Sequence, residues 1–342
     1  MIDLNPLNNN HLRFNCDSIV IQQLNSRYQN AADLLCEISN SSDGFMPPTE
    51  DLHLLAKHPL AQGLLAYQRG YITPERAQKF LSELSQLDQY SLDALAVEKQ
   101  LVLQLQCLLP EVDTRGESIQ VIDNNKCNQI RLDESLKKLI DCCGDDYRRF
   151  LEIVKTVSIV RVSRLGELPY FSGANTDTWG AIHTTEPTDD FVLAETLTHE
   201  AAHHWLFVLE EIAPMAKDPW NGDSWISPWR SDPRPIGGVI HGVYVFSCAA
   251  LVLNSLYACK NFEIEELSKI RIAKRICRLC AQVEAGLDEM HRCPDITPAG
   301  ISLSASAFKR IKSVADMLDG EMLSKAREQC EKEQHLKREK HL

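Results

Sequence analysis

The chain has 342 residues, 44% of them hydrophobic and 25% charged, and a formal net charge of −12. That length buries a sizeable core, and the acidic balance argues against a surface built for nucleic acid or an anionic membrane. The opening MIDLNPLNNNHLRF has no basic stretch followed by an apolar run, and no segment approaches the uninterrupted apolar length of a span, so neither a signal peptide nor a membrane helix is expected.

Only 15 glycines and long stretches free of breakers favour helix. Residues 1–110 read as an N-terminal helical region, and 111–342 as a metal-binding catalytic region packed as one unit with it. In the first, ITPERAQKFLSELSQL carries a start signal, with Thr73 as N-cap and Pro74 at the first helical position. Phe80, Leu81 and Leu84 fall on its apolar stripe. A second helix is expected from Asp88 to Leu109, closed by Pro110, and a polar linker or excursion over 111–130.

Helical periodicity returns in LDESLKKLIDCC and DDYRRFLEIVKTV, while SIVRV (158–162) and WGAIHTT (179–185) read as strands. From Phe191 an apolar helix runs to about Ile212. A loop rich in Trp, Pro and Asp follows, and then a long apolar helix, GVIHGVYVFSCAALVLNSLYA. Loops of that length in a compact domain are commonly functional. Trp220, Trp225 and Trp229 are its aromatic content, either as a cover over a site or as packing. The 12 cysteines are scattered, which predicts reduced thiols and a cytoplasmic protein rather than a disulfide framework. The single CxxC, Cys277 to Cys280, reads as packed helix cysteines.

The chemistry concentrates in LAETLTHEAAHHW. His199 and His203 lie one turn apart on one helix face, and Glu200 stands beside the first, which is the pattern that grips a divalent metal. His241, set in an apolar helix, is the leading third ligand because an unpartnered buried imidazole is costly. His183 is a weaker candidate, and His204 points away from His203 and reads as a neighbour supporting the metal ligands or as packing. A zinc peptidase would use Glu200 on water, but the glycine and histidine that extend some such motifs are replaced by Leu206 and Leu209. Glu210 and Glu211 read as too close on the same helix to fold back on the metal, and neither Glu195 nor Glu263 sits in a convincing pattern. In PWRSDPRP, Arg230 and Arg234 are guanidinium forks suited to a carboxylate ligand, or else structural partners of Asp232 or Asp223.

Three elements together, ETLTHEAAH (195–203), PWRSDPRP (228–235) and HGVYVF (241–246), resemble the HExxH-type 2-oxoglutarate-dependent peptide β-hydroxylases of bacterial peptide-modification clusters. The likeness covers roughly residues 160–260. It implies Fe(II) held by His199, His203 and His241. It also implies 2-oxoglutarate anchored by Arg234 or Arg230, the former favoured, and a ribosomally made precursor peptide as substrate. Glu200 then orients a ligand or the substrate, or itself ligates. The expected fold is mainly α with a small β element, not the double-stranded β-helix usual for 2-oxoglutarate oxygenases, because the motif histidines lie on helical patterns. The alternatives are a zinc-dependent metallopeptidase and a non-catalytic peptide-binding protein. Oligomeric state is not legible.

Overall fold

The computed structural model describes residues 18–41, 52–87, 101–102, 119–121, 125–162, 171–187, 189–260 and 266–341. It is mostly helical with a small mixed sheet that does not close, so the double-stranded β-helix is excluded. Two compact units alternate along the chain: Ser18–Leu136 with Arg149–Thr188, and Lys137–Arg148 with Asp189–Leu342.

The first unit begins with helices α1 (Ser18–Ser41), α2 (Leu52–Leu55), α3 (Pro59–Gln68) and α4 (Pro74–Leu84). Thr73 caps α4 by accepting from the Arg76 N–H, with Pro74 in the first turn, as its sequence predicts. Phe80 and Leu84 bury fully against Leu35, Leu60 and Leu64, and Leu81 packs at the rim. Gly63 admits this packing: a Cβ there would lie 2.2 Å from the Phe80 ring.

The sheet of this unit comprises β1 (Leu101–Val102), β2 (Ile119–Val121), β3 (Thr156–Val162), β4 (Ser172–Ala174) and β5 (Ala181–Thr184). Strand β3 is central, parallel to β1 and β5 and antiparallel to β2, and β4 closes the far edge on β5. The SIVRV reading is met, and of WGAIHTT (179–185) the strand takes Ala181–Thr184. Two helical expectations give way to the sheet. The helix expected through DDYRRFLEIVKTV stops at Leu151, because the N–H groups of Lys155 and Thr156 donate to the Gly180 carbonyl and the β-branched run that follows joins the ladder. Within the helix expected over 88–109, Leu101–Val102 form β1 on Thr156–Val157, and the rest lies outside the described residues. The polar stretch 111–130 likewise contains β2 and the start of α5 (Asn125–Cys143).

His58 caps α3 in this unit, its Nδ1 accepting from the Leu60 N–H at 3.2 Å. The ring is fully buried, and its Nε2 meets no partner among the described residues. Burial lowers its pKa to about 3. Between that value and the free value of about 6.5, an unfolded chain binds a proton that the folded one refuses, so stability is present above pH 6.5 and drains away as pH falls. His58→Asn keeps a capping oxygen and cannot titrate. From pH 7 to about 4.5, wild type should lose about 2–3 kcal/mol more than this variant in urea titrations. Equal losses would remove His58 from the account.

The second unit contains α6 (Asp145–Leu151, in part), α7 (Asp190–Ile212), a hairpin of β6 (Ser224–Trp225) and β7 (Arg234–Pro235), α8 (Ile236–Ala258), α9 (Glu266–Arg292), α10 (Pro298–Ala315) and α11 (Gly320–His341). Helix α8 is long and apolar enough to cross a membrane by length and composition, but here 83% of that stretch is buried, packed by α7, α9 and α10. The long loop before it is ordered by backbone bonds. Lys217 N–H donates to the Asp295 carbonyl, Thr297 N–H to that of Met215, and the Thr297 hydroxyl to that of Pro214.

The expectation of reduced thiols fails at one pair. Cys142, at the end of α5, is disulfide-bonded to Cys259 at the end of α8, because the fold brings their Cα atoms to 5.7 Å. Cys277 and Cys280 are buried free thiols in α9, as packed helix cysteines should be.

Candidate metal centre

Helix α7 starts at Asp189, whose carboxylate accepts from the N–H groups of Phe191 and Val192. It buries an almost continuous apolar surface through Leu209. The face that carries His199 and His203 stays half-buried, while Glu200 is only 2% exposed. A cation can therefore reach the imidazoles while the glutamate remains inside. One ligand atom from each of His199, Glu200 and His203 lies within 4.8 Å of the others.

Helix α8 brings His241 to the same place. His203 Nε2 stands 3.2 Å from His199 Nε2, and His203 Nδ1 stands 2.9 Å from His241 Nδ1. Imidazole nitrogens this close share a proton or a cation. Two nitrogens bound at about 2.1 Å and roughly a right angle apart are separated by about 3 Å, so the His199–His203 contact suits neighbours around one metal, whereas His241 meets His203 through its other ring nitrogen and reaches that metal only by leaving this contact. Burial, then the Arg275 charge and His241, lower the His199 pKa to about 3. Burial, then the rings of His199, His241 and His204, hold His203 well below its ordinary value. Neutral imidazoles keep the lone pairs that a metal needs.

Aromatic rings form the walls. Phe246 meets His199 edge-on at 4.6 Å, and Trp229 stacks on Phe246 at 5.2 Å. Trp220, 52% exposed, stands 5.2 Å from His241. The tryptophan loop thus supplies one packing ring and one exposed ring beside the centre. Two distant helices hold its PWR segment: Gln282 donates to the Pro228 carbonyl, and Lys337 Nζ to that of Ser227.

The other sequence candidates have these places. Arg230 and Arg234 both pair with Asp232, at 3.2 and 3.0 Å, and neither bonds to the three imidazoles among the described residues. His204 is fully buried, edge-on to Phe207 at 5.9 Å, as expected for packing. His183 belongs to the other unit, where burial lowers its pKa to about 4 and its ring covers Gly173. Glu195 is committed to Arg275, and Glu263 lies outside the described residues.

Three participants were not anticipated. Glu210 accepts from His241 Nε2, although it had been set aside as too near along α7. The Arg275 guanidinium lies over Phe246, 6.0 Å from the ring centroid, and bonds Glu195 one turn before His199. Tyr147, fully buried, donates to the Thr198 hydroxyl, which itself donates to the Ala194 carbonyl, and so fixes α6 on the turn preceding His199. Glu210 alone left a signal in the sequence, being seven residues beyond His203, or about two turns.

Fold and site define a mainly helical protein with an HExxH-type metal-binding group, consistent with the broad range of HExxH metalloproteins. No protein-family model matches the chain, and no curated protein matches it.

Proposed function

We propose that the chain is a metal-dependent enzyme acting on a peptide, with the metal on His199, His203 and His241. In this reading the metal is Fe(II), the co-substrate is 2-oxoglutarate, and the product is a precursor peptide hydroxylated at a β-carbon. The observation that carries it is the arrival of His241 at the HEAAH imidazoles, since that histidine follows the PWRSDPRP loop on which the resemblance rests. Imidazole nitrogen donors suit non-haem Fe(II). Bound iron and 2-oxoglutarate would supply the oxidising power for a C–H bond. The chain's own groups hold the metal, exclude water with Phe246 and Trp229, and keep Glu200 buried against the ligand atoms. Arg234 or Arg230 anchors the far carboxylate by exchanging its pairing with Asp232.

A second reading has its own observation. The His199–Glu200–His203 group, taken by itself, favours a zinc peptidase, with Glu200 as the base toward the attacking water. Anaerobic reconstitution with Fe(II), followed by titration with 2-oxoglutarate, separates the two. The oxygenase should develop a weak visible charge-transfer band and bind 2-oxoglutarate with one-to-one stoichiometry. No band, together with tight zinc binding and cleavage of unmodified peptides, would give the site to the hydrolases.

A further inference from the structure

Trp220 differs from the chain's other tryptophans. Trp179 and Trp205 are 5% exposed, Trp225 and Trp229 are half-buried, and Trp220 is 52% exposed. Its place is nonetheless fixed. Helix α8 begins without a side-chain cap, and the Pro219 carbonyl accepts from the Gly237 N–H instead, at 2.6 Å. A Cβ on Gly237 would stand 2.7 Å from that carbonyl and 3.1 Å from two carbons of the indole, so the approach needs a glycine. On the other side Asn221 Nδ2 donates to Asp218 Oδ1 at 3.0 Å, and Gly222 turns the chain with φ 97°. One turn along α8 from Gly237 stands His241, 5.2 Å from the indole between ring centroids, and His241 stacks on His203 at 5.1 Å. The exposed indole therefore lies two ring-to-ring steps from the His199–Glu200–His203 group, a span of about three residues of extended peptide.

We infer that Trp220 is the specificity-determining residue of the site: its open face receives an aromatic side chain of the substrate, about two or three residues along the peptide from the one at the metal. This rests on the reading of the centre as that of a metal-dependent enzyme acting on a peptide. A half-exposed indole gains by covering its surface with a flat apolar group, and a ring in offset or edge-to-face contact adds to the burial. Because the loop is already bonded to α8, little ordering cost is left for binding.

The probes are two hydroxamates, which chelate a metal through both oxygens. One ends in a methyl group and the other in a phenyl ring on a two-carbon arm. Their affinities are measured on the full chain loaded with Zn(II). Wild type should prefer the phenyl compound by at least about tenfold. Trp220→Ala should remove about 3–10-fold of that preference, and leave zinc affinity and the methyl compound within about threefold of wild type. Trp220→Phe, which keeps a ring, should retain most of the preference. Nuclear Overhauser contacts between the phenyl and Trp220 indole protons should appear in wild type. An unchanged preference in Trp220→Ala overturns the inference, as does a loss in Trp220→Phe equal to that in Trp220→Ala. An equal loss for both compounds, or a fall in zinc affinity, overturns it too, since the ring would then support the centre rather than read a side chain. If neither compound binds zinc-loaded wild type, the metal-centre reading fails and takes this inference with it. If the methyl compound binds and only the preference ignores Trp220, the failure is confined to Trp220.

Discussion

Replacing His203 by alanine is expected to abolish tight metal binding while leaving the helical fold intact. His203 is the middle of the three imidazoles, in contact with His199 through one nitrogen and His241 through the other. Sites with four protein ligands bind Zn²⁺ with about 10–16 kcal/mol near neutral pH, or about 3 kcal/mol for each ligand. Loss of one such ligand weakens binding by more than about a hundredfold. Here the loss also separates the remaining two rings. The effect on folding should be small by comparison, since the ring is half-buried rather than a core element. His204 supplies the contrast, one residue along the same helix. It is fully buried against Phe207, so His204→Leu should change stability and leave metal affinity in place. Calorimetric titration with Zn(II) beside thermal melts of the metal-free proteins reads both effects. Wild-type affinity in His203→Ala would remove the centre from this helix face.

The second large effect falls at a glycine. Gly242 follows His241 on α8, and a Cβ placed there would lie 2.5 Å from two carbons of the Trp229 ring. The same ring also meets Gly286 of α9, where a Cβ would approach to 2.7 Å. The indole is thus clamped between two helices at positions where neither can carry a side chain. Gly242→Val should cost about 3 kcal/mol, the upper end for overpacking, because Gly286 and the Phe246 ring already crowd the indole. It should also lower metal affinity, since Trp229 stacks on Phe246 and Phe246 meets His199. Pairing Gly242→Val with Trp229→Leu should recover part of both losses, as expected for two residues in contact. Additive losses in the double variant would show that the glycine matters for another reason.

The loop that carries Trp229 owes its order to groups far away in the chain. Lys337 and Gln282 hold the two carbonyls just before that anchor, and Thr297 pins the opposite end of the loop. Site geometry therefore depends on α9 and α11, which contribute no residue to the imidazole cluster. That dependence also explains why a loop of such length is ordered without extensive secondary structure of its own.

Local chemistry was legible wherever one stretch of chain decides it. The cap of α4 needs only Thr73 and Pro74, and the metal-gripping face of α7 needs only the four-residue step between His199 and His203. The misplacement of His241 among apolar neighbours was equally visible, because the desolvation of an imidazole is a cost that sequence context reveals. Where local preference was weak, partners decided. Residues 152–157 could continue a helix until the Gly180 carbonyl claimed two of their N–H groups, and Leu101–Val102 became a strand because β3 offered an edge. The meeting of Arg275 with Glu195, of Tyr147 with Thr198, and of Cys142 with Cys259 joins positions separated by tens to more than a hundred residues. Periodicity marks the face of a helix but not which other helix will cover it. By itself the sequence determined the kind of ligands and the helix that presents them. Tertiary structure decided which partners fix each ring and which aromatic side chains shelter them, because hydrogen bonds and close packing act through distances that the order of residues does not contain.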